Sequence, residues 1–386
     1  MKAFPFGFDD IAEQAWLLLD SVRVAAYARA IRETVTADDV VVDVGTGSGV
    51  LAVLAAKAGA RKVYAIERGG VADLAEQVFR DNGVSDRIEL LRIDARDAQF
   101  AEPPTVIVTE TLGALGIEED IVSLLKLLRA RCTPNVKLIP HMLRLYAAPL
   151  SDPSLADTLA KLDAQEGVSL AQVRTRVTQR VSVRRVAPEY LAGAPVCFAS
   201  HALAHDSLVD TYSARLVAAR SCEVNALATW FEADLSPGVM LTNAPDAPWT
   251  SWAQLTVPLD PPLIVSEGNA IDIELAPRVA GGRNLYRWNA ELAGDRREGD
   301  STRSSGGSLA DFARQLGLEV ASGERLIGSP QLDAWNALSE GSLRAPFPSI
   351  DALAARLLAA MPQRYSDLGD AREEVLKLLE ACDALG

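Results

Sequence analysis

The sequence predicts an α/β fold with a parallel sheet, followed by an antiparallel β-barrel or sandwich and a small, mostly helical C-terminal module. Three observations predict it. Short apolar runs alternate with segments of helical periodicity up to residue 148, which is typical of βαβ units. Short alternating stretches separated by Gly, Pro, Asp and Asn then extend to residue 300. Helical periodicity returns over 308–386.

The N-terminal part, residues 1–148, is expected to form a Rossmann-like domain. Its first element is a helix over 9–34, where apolar residues recur at helical spacing. The next elements are strands at 40–44, 62–67, 87–93 and 105–110, helices at 48–59, around 70–82 and at 118–131, and an apolar segment at 136–148. Strands that alternate with helices pair in parallel and are covered on both faces.

The second part, residues 149–300, is expected to be the barrel or sandwich. Its segment 153–187 begins as a helix and is rich in arginine. The segment 294–307 is polar and rich in Gly and Ser, so it is expected to be a linker. Three helical patterns follow in 308–386, and they are typical of a winged-helix-like module. Three roles remain open for this acidic module: packing without a ligand, docking of a peptide or protein, and binding of nucleic acid, which its net negative charge disfavours.

Composition disfavours several classes of protein. Apolar residues make up 49% and charged residues 23%, as in ordinary globular proteins. No apolar run reaches the ~18 residues of a membrane span, and the first residues lack a secretory signal, so we expect a cytoplasmic protein without a membrane partner. The net charge of −14 disfavours nucleic acid and suits a cationic substrate. The four cysteines are widely spaced, and we expect no metal site.

The strongest motif is the sequence VVVDVGTGSGVLAVLA. A strand ends near Asp43, and glycines follow at Gly45, Gly47 and Gly49 before a helix. Glycines there allow positive φ and close approach of a ligand to the backbone. Glu67 ends the next strand, where a carboxylate can accept hydrogen bonds from both ribose hydroxyls of an adenosine.

The ligand of this motif is expected to be S-adenosylmethionine (SAM), which leaves S-adenosylhomocysteine as product. The spacing is GxGxG rather than the GxGxxG of dinucleotide sites. The carboxylate of Asp43 would repel a pyrophosphate but would hold the amino group of SAM. A dinucleotide is the alternative. Asp94 follows the third strand and can accept from the adenine amino group, or it can cap a loop.

A pair of glutamates follows the fourth strand. Glu110 ends that strand and Glu119 comes nine residues later, after a loop that contains glycine. If the loop folds back, both carboxylates can bind one planar guanidinium through charge-assisted hydrogen bonds. The alternative is that Glu118 and Glu119 begin a helix, where acidic residues suit the helix dipole.

These motifs, in this order, resemble the protein arginine methyltransferase family over roughly residues 1–300. The resemblance is carried by LLLDSVRVAAYARAI, DVGTGSGVLAVLAAKAGA, TETLGALGIEE, TSWAQLTVPL and NLYRWNAEL. It implies that Arg23 pairs with the SAM carboxylate, that Glu110 and Glu119 bind the substrate guanidinium, and that Trp252 lies near the substrate. It also implies a homodimer formed through an arm at about 165–190.

The sequence departs from the family pattern at several positions. The first helix has Gln14-Ala15-Trp16-Leu17 in place of the usual His-Glu-Glu-Met run, and Phe4 and Phe8 stand where Tyr is expected. Thr111 stands where the family usually has Trp, and Ser251 stands where it has His. The matching motifs make the main hypothesis a SAM-dependent N-methyltransferase that acts on arginine of a peptide or protein. The alternatives are a methyltransferase for a small molecule or another side chain, and a catalytically silent SAM-binding scaffold.

Overall fold

The computed structural model describes residues 11–280 and 283–301, and its first layer is a five-stranded parallel sheet. The strands are β1 (Val40–Val44), β2 (Lys62–Ile66), β3 (Ile88–Leu91), β4 (Val106–Thr109) and β5 (Lys137–Ile139). Their order is β3-β2-β1-β4-β5. The direction of winding reverses between β1 and β4, which leaves a crevice at the carboxyl edge of the sheet. The predicted Rossmann-like sheet is confirmed.

Five helices accompany this sheet: α1 (Ile11–Leu18), α2 (Ser21–Thr34), α3 (Val50–Lys57), α4 (Ala72–Asp81) and α5 (Ile121–Arg129). The prediction of a single helix over 9–34 is wrong, because Leu19 and Asp20 separate two helices, α1 and α2. The Asp20 carboxylate caps α2 by accepting from the Arg23 amide at 3.0 Å. Helix α5 begins at Ile121 rather than 118, so Glu118 and Glu119 lie in the preceding loop.

The second layer begins earlier than expected. The remaining elements are, in chain order, β6 (Met142–Leu150), α6 (Pro153–Lys161), β7 (Ala164–Gln165), β8 (Val168–Ser169), α7 (Ala171–Val177), β9 (Ser182–Arg184), β10 (Val196–Ala202), β11 (Tyr212–Val217), β12 (Cys222–Ser236), β13 (Val239–Thr242), β14 (Gln254–Val265), β15 (Ala270–Ala280), β16 (Arg283–Leu292) and β17 (Asp295–Asp300). Strand β6 pairs with β10 and β12, so the boundary between the parallel sheet and the antiparallel sheets lies near residue 141 and not at 148.

Two antiparallel sheets form this second layer, as the alternating stretches predict. One has the order β10-β6-β12-β14-β9, with β13 on β12, and the other has the order β11-β15-β16-β17. The arm leaves the first sheet between β6 and β9 and contains α6, the β7–β8 hairpin and α7. One buried apolar cluster extends from Tyr27 through Phe231 to Trp288, so both layers share a core.

The linker predicted at 294–307 is wrong over its first residues. Strand β17 pairs with β16 from Leu292↔Asp295 to Arg287↔Asp300. The pairing rests on backbone hydrogen bonds, which a polar edge strand can make as well as an apolar one. The predicted C-terminal module, 308–386, lies outside the described residues. Among the helices that are described, none has the length and apolar character needed to cross a bilayer.

Candidate active site

The loop after β1 is a glycine turn at the carboxyl edge of the parallel sheet. Gly45, Gly47 and Gly49 have φ angles of 70°, 53° and 86°, which other residues rarely adopt. Glycine is also required at two of these positions because neighbouring side chains leave no room for a Cβ atom. A Cβ at Gly47 would lie 2.9 Å from the Gln14 side chain, and a Cβ at Gly49 would lie 2.4 Å from the Phe79 ring. The turn is therefore fixed both by its backbone and by close packing.

Glu67 follows β2 and closes this turn. One carboxylate oxygen accepts from the Gly47 amide at 3.0 Å, and the other accepts from the Gly69 amide at 2.8 Å. The parallel register pairs Val44 with Ile66, which brings the ends of β1 and β2 together. Each carboxylate oxygen has a second lone pair, so the half-buried Glu67 can still accept from hydroxyl groups of a ligand.

Asp43 lies within β1 and is fully buried. Its Oδ2 accepts from the Thr46 hydroxyl, whereas its Oδ1 has no hydrogen-bond partner among the described residues. Burial, with a smaller contribution from the charge of Glu67, raises the pKa of Asp43 to about 7, and hydrogen bonds from the Thr46 hydroxyl and the Ala52 amide oppose the rise. A buried acceptor without a partner is costly. A cationic donor bound at the glycine turn would satisfy it.

Glu110 follows β4 and pairs with Arg23 from α2. The Arg23 guanidinium donates to the Glu110 carboxylate at 2.9 Å and to the Leu17 carbonyl at 2.5 Å. The side chains are 7% and 19% exposed, respectively. Burial raises the pKa of Glu110 to about 7, although the Arg23 charge opposes the rise, and Asp20 and Asp43 add to it. The carboxylate therefore titrates near neutral pH.

Glu119 acts on the same region as Glu110. The Tyr27 hydroxyl donates to the Thr109 carbonyl at the end of β4, at 2.9 Å. Burial raises the pKa of this phenol, and the charges of Glu110 and Glu119 both raise it further. Asp43 raises the pKa of this phenol as well, and the Arg23 charge lowers it. Glu110 directly follows β4, and Glu119 lies two residues before α5.

Glu118 has a different role from Glu119. We call residues 111–119 the clamp loop. Within it, the Glu118 carboxylate accepts from the Leu115 amide at 2.8 Å, from the Ile117 amide at 3.1 Å and from the Tyr286 hydroxyl at 3.0 Å. Burial raises the pKa of Glu118, and these donors oppose the rise. Both carboxylate oxygens of Glu118 therefore accept hydrogen bonds from groups of the protein itself.

Trp252 holds the clamp loop against the second layer. Its indole donates to the Leu112 carbonyl at 2.7 Å, its ring packs edge-on against Phe231, and Arg23 lies 5.3 Å from its ring centre. The amide of the neighbouring Ser251 donates to the Asp20 carboxylate at 2.5 Å. Trp252 thus contacts the residue that pairs with Glu110, near the expected substrate position.

Asp94 makes contacts that favour the capping alternative. It accepts from the Arg96 amide at 2.9 Å and pairs with Arg68 at 3.0 Å and with Arg96 at 3.4 Å. Strand β3 ends at Leu91, three residues before it. Within the described ranges, no cluster of three or more His, Cys, Asp or Glu side chains is arranged to hold a metal ion.

Sequence reasoning missed four residues of this site. Gln14 accepts from the Ser48 amide at 3.2 Å and so supports the glycine turn from α1. Asp20, Glu118 and Tyr286 make the contacts given above. The pattern Asp20-Ser-Val-Arg is a helix N-cap signal and could have located Asp20. No local signal distinguishes Glu118 from Glu119, or marks Gln14 and Tyr286, because their partners are distant in sequence.

Comparison with known proteins gives matches over both layers. The family described as ribosomal protein L11 methyltransferase (PrmA) matches residues 26–133, and the arginine methyltransferase oligomerization subdomain matches 141–284. A probable histone-arginine methyltransferase 1.3 from Arabidopsis thaliana is 29% identical over 68% of this chain and 53% of its own length. Over both layers this chain is similar to protein arginine methyltransferases. Protein arginine N-methyltransferase 6 from Danio rerio is 27% identical over 72% of the chain and 83% of its own length.

Solved structures of protein arginine methyltransferases share the fold of this chain. The Trypanosoma brucei PRMT1 enzyme–prozyme complex with AdoHcy matches 76% of this chain and 98% of its own, with a TM-score of 0.71 and 23% identity. Protein arginine methyltransferase 10 from Arabidopsis thaliana has a TM-score of 0.65 and 21% identity, over 76% of this chain and 99% of its own. The chain spans about half the length of the plant histone-arginine methyltransferase it matches.

Proposed function

We propose that this protein is a SAM-dependent N-methyltransferase that acts on arginine of a peptide or protein. The observation that carries the proposal is the position of Glu110, which directly follows β4 beside the end of β1 and pairs with Arg23, with Glu119 at the other end of the clamp loop. Two carboxylates at the carboxyl edge of the sheet suit a planar cation with several N–H donors. The similarity to a probable histone-arginine methyltransferase and to a protein arginine N-methyltransferase supports the same substrate class.

The glycine turn and its neighbours are the residues that would hold SAM. The glycines Gly45, Gly47 and Gly49 give a close-packed backbone, and the unpartnered Oδ1 of Asp43 fits a cationic amino group. Glu67 would accept from the ribose. SAM would supply an electrophilic methyl group on a sulfonium. Arg23 would hold its carboxylate.

The clamp carboxylates would orient the acceptor and polarise it. A guanidinium is protonated at neutral pH, so its nitrogens are weak nucleophiles. Carboxylates bound to two of its nitrogens draw the positive charge toward them and leave the third nitrogen better able to attack. Only the deprotonated form of Glu110 can draw charge in this way. Because the pKa of Glu110 is about 7, that form predominates only above neutral pH. Positioning and electrostatic stabilisation would supply most of the rate.

The test of the proposal has a binding part and a turnover part. Isothermal titration with SAM and S-adenosylhomocysteine should give binding, and NAD as control should give none. A peptide with one arginine should be methylated, and mass spectrometry should locate the methyl group on the guanidino nitrogen. The same peptide with that arginine replaced by lysine is the control. NAD binding, or a methyl group on any other atom, would refute the proposal.

We also propose that the protein forms a homodimer through its arm. Three valines of the arm, Val168, Val173 and Val177, are 61%, 46% and 43% exposed. Arg174 holds α7 to the barrel through Asp260 at 2.7 Å, so the arm has a fixed orientation. Val173→Asp should convert dimers to monomers in light scattering after gel filtration. Val217→Asp, a change at a valine of β11 outside the arm that is 49% exposed, is the control. Equal masses for wild type and Val173→Asp would contradict the proposal.

A further inference from the structure

Glu118 occupies the inside of the clamp loop. Its carboxylate accepts from the Leu115 and Ile117 amides, which lie on either side of Gly116, and both of these residues are buried. A Cβ at Gly113 would lie 2.4 Å from a carboxylate oxygen of Glu118. Gly113 does not have a positive φ. Glycine is therefore required there for space, because the Glu118 carboxylate lies directly against the backbone.

Tyr286 reaches this carboxylate from the other layer. It lies in β16, is 3% exposed, and donates its hydroxyl to Glu118 at 3.0 Å. The two residues are 168 positions apart, so the contact joins the barrel to the clamp loop. Two other contacts hold the early part of the loop to the barrel: Trp252 to the Leu112 carbonyl, and Asn243 to the Ala114 carbonyl at 2.8 Å. The Tyr286 contact is the one next to Glu119.

We propose that Tyr286 and Glu118 are positioning residues that set the place of the second clamp carboxylate, Glu119. Glu119 directly follows Glu118, and the backbone there is fixed by the Glu118 carboxylate and its three donors. Displacement of Glu118 would therefore move Glu119 relative to Glu110, which β4 holds independently. This assignment rests on the proposed function, since it concerns the geometry of the guanidinium site. It predicts an effect on the acceptor and none on the cofactor turn.

The test compares Tyr286→Phe with Tyr212→Phe in the full chain. Each change removes one buried hydroxyl from the barrel, but the Tyr212 hydroxyl bonds to His201, away from the clamp loop. Tyr286→Phe should lower kcat/KM for an arginine peptide roughly tenfold, because it removes a hydrogen bond to a charged group. S-adenosylhomocysteine affinity should stay within about twofold, since no contact of the glycine turn changes. Tyr212→Phe should leave both values unchanged.

A double-mutant cycle distinguishes positioning from general destabilisation. If Tyr286 acts through Glu118, the variant with both Glu118→Gln and Tyr286→Phe should lose no more kcat/KM than Glu118→Gln alone. Gly113→Ala adds a Cβ that displaces the Glu118 carboxylate, so it should also lower kcat/KM for the peptide. Additive losses in the cycle, or equal kcat/KM for Tyr286→Phe and Tyr212→Phe, would overturn the assignment alone. Wild-type protein that binds S-adenosylhomocysteine but methylates no guanidinium would overturn the proposed function and this assignment with it.

Discussion

Replacing Glu110 by Gln should separate the activity of the protein from its stability. Burial raises the pKa of Glu110 from 4.5 to about 7, so ionising it at pH 8 opposes folding. Each pKa unit corresponds to about 1.4 kcal/mol, which gives roughly 3 kcal/mol as the upper limit that the neutral Gln avoids. Gln can still accept from Arg23 at the 2.9 Å position. The variant should therefore be at least as stable as wild type at pH 8.

The same change should cost activity. Loss of one preorganised charge at a reacting centre lowers kcat by about 10²–10³-fold. Urea unfolding at pH 8 and pH 5 gives the stability, and release of S-adenosylhomocysteine gives the turnover. The stability advantage should shrink at pH 5, where wild-type Glu110 is protonated as well. Glu102→Gln, in an exposed pair with Arg61, is the control and should change neither quantity much. Near-normal turnover of Glu110→Gln with S-adenosylhomocysteine binding intact would refute the clamp reasoning, and equal destabilisation at both pH values would refute the burial argument.

The other predictions concern pH, the glycine turn and Arg23. Wild-type kcat/KM should rise with pH through about 7 as Glu110 ionises, and a flat profile between pH 6 and 8 would contradict this. Gly47→Ala should cost about 1–2 kcal/mol of stability and most of the SAM affinity measured by titration, because its φ is 53° and its Cβ would meet Gln14. Gly83→Ala is the control: its φ of 65° gives similar backbone strain, no atom lies within 4 Å of the added Cβ, and SAM affinity should be unchanged. Arg23→Lys should weaken SAM binding roughly tenfold, since one ammonium cannot replace a guanidinium fork, and an unchanged affinity would remove Arg23 from the cofactor site.

The parallel sheet could be predicted because its signal is local. All five residues of β1 are buried, and a strand covered on both faces is a continuous apolar run in sequence. Once the strands are known, their carboxyl ends converge, which places Glu67 and Glu110 near the glycine turn without further information. The features that sequence could not give depend on backbone pairing. Strand β17 is DRREGD, a string of polar residues that no apolar pattern marks.

Adjacent residues of the same type are a second limit on sequence reasoning. Glu118 and Glu119 are chemically identical, and both were compatible with the start of a helix. Tertiary contacts decide between them, because Glu118 is satisfied by two loop amides and by Tyr286. A single sequence contains no trace of a partner 168 residues away. The spacing of nine residues from Glu110 made Glu119 a candidate, and the resemblance to a known family then assigned it as the second clamp carboxylate.

The clamp loop belongs structurally to both layers, and this divides the chemistry between them. The glycine turn is held by Glu67 and by Gln14, which lie in the first 148 residues. The clamp loop is held by Trp252, Asn243 and Tyr286 of the barrel. Changes in the barrel can therefore shift the clamp carboxylates while the cofactor turn keeps its geometry. Two of the departures from the family pattern lie at this junction. A Cβ at Gly45 would lie 3.4 Å from the Thr111 methyl group, and the Ser251 amide donates to Asp20.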